Sequence, residues 1–458
     1  MSLLIIIPAF LVTIGVLVTV HEFGHFWVAR KLGVKVLRFS IGFGKPLWKH
    51  VSNDADRIEY VVAALPLGGY VKMLDERECE DGCQIPQQDL PRAFNRQALW
   101  KRAAIVVAGP LANFLLAIAV YAAVGMLGQE VRHAYIDPAA GKPAAIAGFQ
   151  PGDRVVSIAG KPIEAMGEMP IRLIDGYFAS AEHQVVVGVN TRDGANAERV
   201  LDLRGSALLE EDNDVMEKLG FNPWMPPFDL LVAEVIADSP AARAGVQAGD
   251  KILLAGGQAF PNPGPFSEFI ANHADQPVNL RISRADGDHD LQVVPRMDTE
   301  RNRVMVGIAF KPPPDSVKEQ LYFERSYGLF DALVKGVEQT ADTSIMTLKL
   351  MGRMLTGEVA LKNISGPVTI AQFAGVTASY GLTYYLGFLA VVSVSLGVLN
   401  LLPVPMLDGG HLLYYLIELV KGSPVSEQVE AAGFRIGMAI IAGLMMLALY
   451  NDFMRLIN

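Results

Sequence analysis

Long uncharged stretches alternate with ordinary polar sequence along this chain. Three runs contain no charged residue, and a fourth apolar run is shorter: Leu3 to Val20, Ala103 to Gly128, Val376 to Leu407, and Ile436 to Tyr450. A helix that spans a bilayer needs about 20 mostly apolar residues. The pattern therefore predicts four transmembrane helices, of which the last is the shortest.

The first apolar run is not typical of a cleaved signal peptide. It has no basic segment before it, and His21-Glu22-Phe23-Gly24-His25 stands where a small-residue cleavage site would be needed. We therefore expect this run to remain in the membrane.

Basic residues predict the orientation of these spans, because Lys and Arg collect on the cytoplasmic side. They are concentrated between the first two runs, and few follow the second run before residue 150. This places segment 30–102 in the cytoplasm, together with the segment between the last two spans that carries Lys421. The amino terminus, the large region 129–375 and the carboxyl terminus are then external.

Charge and cysteine content exclude several functional classes. A net charge of −9 argues against nucleic acid as a partner. The two cysteines, Cys79 and Cys83, can form at most one disulfide, and no His or Cys nearby completes a metal site. We interpret them as ordinary thiols in a reducing compartment.

The external region contains a repeat. The segment from Pro143 to Val155 recurs from Pro240 to Ile252, and both the prolines and Asp153 and Asp250 are 97 positions apart. A period of this length indicates two domains rather than a solenoid. The pattern resembles the PDZ domains of bacterial envelope proteases, which bind extended peptides by strand addition. Lys218 to Phe221 resembles a carboxylate-binding loop, but a plain strand end is the favoured interpretation, since a backbone nest is not visible in the sequence.

Two helices that do not span the membrane are predicted after the repeat. Residues 327–356 have the spacing of an amphipathic helix, and Gly366-Pro367 separates it from a short apolar helix at 368–376. Both are expected on the membrane face or against the core.

The candidate chemistry lies in the first apolar run. His21 and His25 are four residues apart, so on a helix they share a face and can hold one metal ion. Glu22 lies beside them and can accept a proton from an attacking water. An ionisable residue at the bilayer centre costs roughly 2.5–3.5 kcal/mol on insertion scales, so three such groups in one span indicate a function.

A catalytic zinc site needs a third protein ligand. The segment from Asn400 to His411 contains Pro403 and Pro405, which break the third run and leave irregular backbone that only protein or a water-filled cavity tolerates. Asp408 at this break is the expected ligand, and His411 is the alternative.

Together these motifs resemble the site-2 protease family of intramembrane zinc metalloproteases. The family pairs HExxH in the first span with Asn-x-x-Pro-x-x-x-x-Asp-Gly in a later span, and Gly109-Pro110-Leu111-Ala112-Asn113-Phe114 also looks like a family motif. The resemblance implies Zn²⁺ bound by His21, His25 and Asp408, with Glu22 as the catalytic base. The family often has an asparagine where this chain has Ser395, so the resemblance does not predict that substrate contact in this chain.

The resemblance also implies substrate-binding residues, at Asn400 and Pro403 and at glycines of the cytoplasmic segment. Residues 60–73 are interpreted as two strands around a turn. In the family this region pairs with unfolded substrate, although a hairpin that only packs is equally consistent with the pattern. The glycines concerned are Gly42, Gly44, Gly68 and Gly69.

The predicted fold is a polytopic α-helical membrane protein with four transmembrane helices and two external α+β PDZ domains. The expected boundaries are transmembrane helix 1 at 1–30, a β-hairpin region at 31–98, helix 2 at 99–128, PDZ domains at 129–225 and 226–315, amphipathic helices at 316–380, helix 3 at 381–410, a cytoplasmic loop at 411–432 and helix 4 at 433–454.

The predicted function is cleavage of transmembrane segments in a bacterial inner membrane. By resemblance, the substrates are single-span proteins of the anti-sigma factor type and remnant signal peptides. A non-catalytic PDZ scaffold would explain the repeat but neither Glu22 nor Asp408. A metal transporter would leave Glu22 without a role, and four spans with no repeat among them do not match transporter architecture.

Overall fold

The structure is a computed structural model that describes residues 3–78, 85–204, 215–298, 303–357, 362 and 364–457. Cys79 and Cys83 lie outside these residues. The chain divides into two compact units. One comprises the described parts of 1–129 and 325–458, and the other those of 130–208 and 213–324.

The α-helices are numbered in chain order. They are α1 (Leu3–Lys31), α2 (Leu99–Leu127), α3 (Pro143–Ile146), α4 (Met169–Ala179), α5 (Val215–Leu219), α6 (Pro240–Ala244), α7 (Pro263–Ala271), α8 (Asp315–Leu321), α9 (Leu329–Leu355), α10 (Pro367–Tyr380), α11 (Leu382–Asn400), α12 (Asp408–Lys421) and α13 (Glu427–Ile457).

The strands follow the same order. They are β1 (Val36–Val51), β2 (Glu59–Met73), β3 (Gln129–Arg132), β4 (Tyr135–Pro138), β5 (Asp153–Ile158), β6 (Lys161–Pro162), β7 (Gln184–Asn190), β8 (Asn196–Asp202), β9 (Phe221–Pro223), β10 (Leu230–Val235), β11 (Lys251–Ala255), β12 (Val278–Arg284), β13 (Gly287–Val293), β14 (Arg296–Asp298), β15 (Arg303–Met305), β16 (Ile308–Phe310) and β17 (Tyr322–Arg325).

Helices of the first unit are long and apolar enough to cross a membrane. Within the described residues they are Leu4–Lys31, Leu99–Leu127, Leu382–Asn400 and Gln428–Arg455. Leu17 of α1 packs with Ala117 and Tyr121 of α2 and with Ala390 and Val394 of α11 in one buried cluster. Outward-facing side chains such as Leu115 and Met446 are exposed, as expected for residues that contact lipid.

The third transmembrane helix ends earlier than the sequence predicted. Helix α11 stops at Asn400, and a new helix, α12, begins at Asp408, so the predicted boundary of 410 is wrong. Residues 411–421, expected in a loop, are also helical. The interruption follows from Pro403 and Pro405, which have no N–H to donate in a helix. The break packs tightly, since a Cβ on Gly437 of α13 would lie 2.1 Å from the Pro405 carbonyl oxygen.

The segment between α1 and α2 forms one bulged pair of long strands, β1 and β2. Phe39 of β1 pairs with both Tyr60 and Val71 of β2. The two halves of β2 therefore lie on either side of β1, and β2 itself is continuous from Glu59 to Met73. The interpretation of 60–73 as a self-contained pair of strands was wrong, because the halves pair with β1 and not with each other.

The repeat corresponds to two sheet modules in the second unit. One sheet has the order β8-β7-β5-β4-β9, with β6 paired to β5, and the other has the order β13-β12-β11-β10-β16. Each repeated proline begins a short helix, α3 or α6, and each repeated Gly-Asp turn leads into a strand, β5 or β11.

The repeated aspartates explain why this turn recurs. Asp153 and Asp250 are each 1% exposed and accept a hydrogen bond from the main-chain N–H three residues earlier, at 3.0 Å from Gln150 and 2.8 Å from Gln247. Burial alone would raise the pKa of Asp250, but hydrogen bonds from Arg284 and Gln247 hold this pKa below its usual value. The carboxylates thus stabilise the turn in both modules.

Candidate active site

Two histidines of helix α1 face one another at the candidate site. His21 and His25 are one turn apart, and their Nε2 atoms are separated by 3.2 Å. Helical spacing predicted this shared face. Both side chains are largely buried.

Asp408 joins the two histidines from the far end of the sequence. Its Oδ2 atom lies 3.2 Å from Nε2 of His21 and 3.5 Å from Nε2 of His25. Asp408 is the first residue of α12, where a carboxylate interacts favourably with the helix N-terminus. The break between α11 and α12 thus delivers this side chain to the histidine pair.

A main-chain carbonyl orients His25. Nδ1 of His25 lies 2.8 Å from the carbonyl oxygen of Ile105 on α2. A carbonyl oxygen can only accept a hydrogen bond, so Nδ1 carries the proton. In a neutral imidazole this leaves the lone pair of Nε2 free, directed towards His21 and Asp408.

The three side chains fit a zinc ion. Among the described residues they are the group of His, Cys, Asp and Glu that could hold a metal, with ligand atoms all within 4.8 Å of one another. The Oδ2 atom of Asp408 is buried without a hydrogen-bond partner. Tetrahedral zinc with bonds of about 2.0–2.2 Å would separate its ligands by about 3.3 Å, close to the observed separations.

Glu22 lies beside these ligands in a polar cleft. The cleft has a volume of about 400 Å³ and is lined by Glu22, His25 and Asp408 together with charged side chains that include Arg77, Arg102, Glu418 and Glu430. The polar side chains of this cleft can form hydrogen bonds with water inside an otherwise apolar helix bundle. The site therefore combines candidate ligands, a candidate base and a polar cleft.

Two glycines allow α1 and α2 to approach closely at the site. A Cβ on Gly24 would lie 2.2 Å from the carbonyl oxygen of Ala108. A Cβ on Gly109 would lie 2.2 Å from Nε2 of His25 and 2.9 Å from Cε1 of His21. Sequence reasoning assigned no role to Gly24 or to the Ile105 carbonyl. The small residues in apolar helices were the available signal.

We expect Gly109→Ala to disrupt metal binding. The added methyl group must displace the His25 ring, so zinc affinity should fall at least tenfold, equivalent to about 1.4 kcal/mol. Chelator competition on purified protein measures this. Gly15→Ala is the matched control, because a Cβ there meets nothing within 4 Å. Unchanged zinc affinity in Gly109→Ala would contradict the tight packing.

The predicted substrate-binding glycines lie in the β1–β2 pair. Gly42 and Gly44 have φ values of 90° and 89°, which favour glycine, and Gly68 has φ of 155°. A Cβ on Gly69 would lie 2.9 Å from Cγ of Glu22, so this part of β2 passes directly beside the candidate base.

The remaining predicted residues lie near the helix break. Asn400 is the last residue of α11, and Pro403 is exposed in the turns that follow. His411, the alternative ligand, lines the same cleft but is not one of the three clustered ligands. Ser395 donates a hydrogen bond to the Val391 carbonyl of its own helix at 3.0 Å.

Comparison with known proteins identifies the family of this chain. The profile of Peptidase family M50 matches residues 9–444. The chain belongs to this family. As an M50 peptidase it is a zinc metalloprotease, and its resemblance to site-2 proteases is confirmed.

Relatives match this M50 peptidase over essentially their full length. The protease RseP of Yersinia pestis is 42% identical over 463 residues, which is 100% of each chain. The regulator of sigma-E protease RseP of Escherichia coli K12 is 39% identical over 451 residues, or 98% of each chain. A protein of Vibrio cholerae named as a zinc metalloprotease is 40% identical over 454 residues, again 98% of each.

Among solved structures, the chain is similar to the PDZ domain of an SdrC-like protein from Listeria monocytogenes. That similarity has 23% identity, covers 19% of this chain and 90% of that one, and has a TM-score of 0.17.

Proposed function

We propose that this M50 peptidase cleaves peptide bonds within or beside the transmembrane helix of single-span partner proteins. The observation that carries the proposal is the location of His21, Glu22 and His25 on a helix apolar enough to span a membrane. Ionisable groups at such a depth are costly and mark a functional site. A protease with its ligands there acts on chains that enter the bilayer.

The proposed division of roles follows from the arrangement of the side chains. His21, His25 and Asp408 would hold zinc through Nε2, Nε2 and Oδ2. When bound, zinc supplies Lewis-acid chemistry that makes water nucleophilic at neutral pH. Glu22 accepts the proton of the attacking water at its carboxylate and returns it to the leaving amine. Asn400 and Pro403 are proposed to hold the substrate near the helix break.

The β1–β2 pair is proposed to hold the substrate in an extended form. A peptide bond in a helix is inaccessible until the helix unwinds. Pairing of the substrate as an added strand on the β1–β2 sheet would keep its backbone extended. Gly69 beside Glu22, and Val71 and Met73 in the lining of the cleft, support this role. Gly42, Gly44 and Gly68 have positive φ values, which depart from regular strand geometry.

We propose the bacterial inner membrane as the location, with segment 30–102 cytoplasmic and the region 129–375 external. The distribution of Lys and Arg supports this orientation. Relatives are named regulators of sigma-E protease, which supports anti-sigma factors with one span as the proposed substrates. Remnant signal peptides are proposed from the family resemblance alone. The PDZ-like modules are proposed to bind extended peptides.

Reconstitution tests the proposed cleavage. Purified enzyme in lipid vesicles is given a single-span substrate, and mass spectrometry locates the cut. We expect the cut inside or at the border of the apolar segment, and no cut in a soluble protein. Cleavage confined to soluble polypeptide would overturn the proposal. Comparing membrane proteomes with and without active enzyme should then reveal accumulated single-span fragments that identify the natural substrates.

We further propose that the external modules exclude partners that still carry a folded external domain. Domains of about 100 residues have a radius of gyration near 13 Å, so they can obstruct a folded partner yet admit a trimmed one. Specificity would then come from excluding the wrong substrate.

Replacing residues 130–324 with a short Gly/Ser linker tests this filter. The linker is feasible because the Tyr327 N–H donates to the Gly125 carbonyl at 2.9 Å, which holds the two ends of the first unit together. We expect the variant to cut an untrimmed substrate that the full chain rejects, and to cut a trimmed substrate as the full chain does. Loss of cleavage of the trimmed substrate in a zinc-loaded variant would instead indicate that the modules bind and activate.

A further inference from the structure

Asn113 of helix α2 is fully buried beside His21. Its Nδ2 atom lies 3.2 Å from Nδ1 of His21, and its Oδ1 atom is buried without a hydrogen-bond partner. The Asn113 side chain therefore contacts His21 at Nδ1, the ring nitrogen that does not face Asp408. The Oδ1 atom of Asn113 has no partner among the described residues. A buried polar atom without a partner costs roughly 1–3 kcal/mol, so this arrangement needs an explanation.

The chemistry of His21 provides the explanation. Nε2 of His21 faces Oδ2 of Asp408 and Nε2 of His25, each at 3.2 Å. A neutral imidazole that offers Nε2 to a metal must carry its proton on Nδ1, and that proton needs an acceptor. The Nδ2 group of an amide can only donate, and donation to Nδ1 would put the imidazole proton on Nε2, where it would block metal binding.

Exchanging the two ends of the Asn113 amide gives both the amide oxygen and Nδ1 of His21 a hydrogen-bond partner. The oxygen and nitrogen of an amide have nearly the same shape, and their assignment follows from the hydrogen-bond network. With Oδ1 facing His21, the unsatisfied oxygen gains the Nδ1–H donor and Nε2 keeps its lone pair. The Ile105 carbonyl already gives His25 the equivalent arrangement, so both histidines would be oriented from α2.

We propose that Asn113 is a positioning residue that accepts the Nδ1–H of His21 and fixes the tautomer in which Nε2 binds zinc. The inference rests on the proposed ligation of zinc by His21. It adds a hydrogen-bond acceptor that does not itself contact the metal. Partners of this kind typically change metal affinity about 10- to 100-fold when they are lost.

The test measures zinc affinity by chelator competition on the purified full chain, without any assay of proteolysis. Asn113→Leu removes the acceptor and nearly preserves side-chain volume, so zinc affinity should fall about 10- to 100-fold. Asn113→Asp keeps an oxygen at the same place, and it should bind zinc within a few-fold of the original chain. Recovery by aspartate but not by leucine distinguishes an acceptor from a residue that merely fills space.

Two further variants make the outcome decisive. Ser393→Ala is the control, since the buried Ser393 hydroxyl donates to the Asn113 main-chain oxygen at 2.7 Å and should not affect zinc. His21→Ala should lose zinc, and retention would overturn the ligand set itself. If His21→Ala loses zinc while Asn113→Leu keeps it, the positioning role alone is overturned. Equal losses in Asn113→Asp and Asn113→Leu would also overturn it, because the amide would then act as a donor or by packing.

Discussion

Glu22→Gln is expected to retain zinc and to lose cleavage. Glutamine preserves the shape of the side chain but cannot accept a proton as a base, and general-base catalysis typically contributes about 10²- to 10⁴-fold to the rate. The ligand atoms of His21, His25 and Asp408 are untouched, so metal content should remain that of the original chain. Zinc analysis and cleavage of a single-span substrate in vesicles measure the two effects separately.

A surface substitution provides the control for this experiment. Glu338 of α9 is exposed and pairs with Lys335 at 2.8 Å, far along the chain from the site, so Glu338→Gln should leave the rate unchanged. Turnover by Glu22→Gln near the original rate would remove Glu22 from the proposed mechanism. The same pair of assays separates a protease from a scaffold or a zinc transporter, since neither alternative requires a base at position 22.

Asp408→Ala is expected to lose zinc and activity together. This variant removes the carboxylate that lies against both histidines, so zinc affinity should fall further than the roughly 10- to 100-fold seen when an outer hydrogen-bond partner of a ligand is lost. The remaining two histidines provide fewer ligands than a catalytic zinc site requires. Chelator competition on purified protein checks this expectation.

His411→Ala is the matched comparison, since His411 lies on the same helix and lines the same cleft. Its zinc affinity should stay within a few-fold of that of the original chain. A reversal, with Asp408→Ala retaining zinc and His411→Ala losing it, would mean that the third ligand has been misassigned. Equal and complete loss in both variants, with the helices still folded, would require a site that uses both residues.

Local patterns in the sequence were enough for several features of this protein. Apolar runs of 15 to 32 residues indicated candidate spans, because helix length must match bilayer thickness. The spacing of His21 and His25 indicated a shared helix face, because helical geometry repeats every 3.6 residues. The 97-residue repeat indicated two similar modules, and its buried aspartates occupy equivalent turns in the structure.

Other features depended on contacts between distant parts of the chain. The sequence left Asp408 and His411 as alternatives, and only the packing of α12 against α2 brought Asp408 to the histidines. The carbonyl of Ile105 has no signature in the sequence, because every residue carries the same main-chain oxygen. The pairing of Phe39 with both Tyr60 and Val71 was likewise missed, because strand register depends on which segments meet in space. The sequence thus determined which side chains are able to bind a metal or transfer a proton, and the tertiary structure decided which of them lie together. The reason is that local periodicity extends over a few helical turns, whereas the ligand set joins residues hundreds of positions apart in the chain.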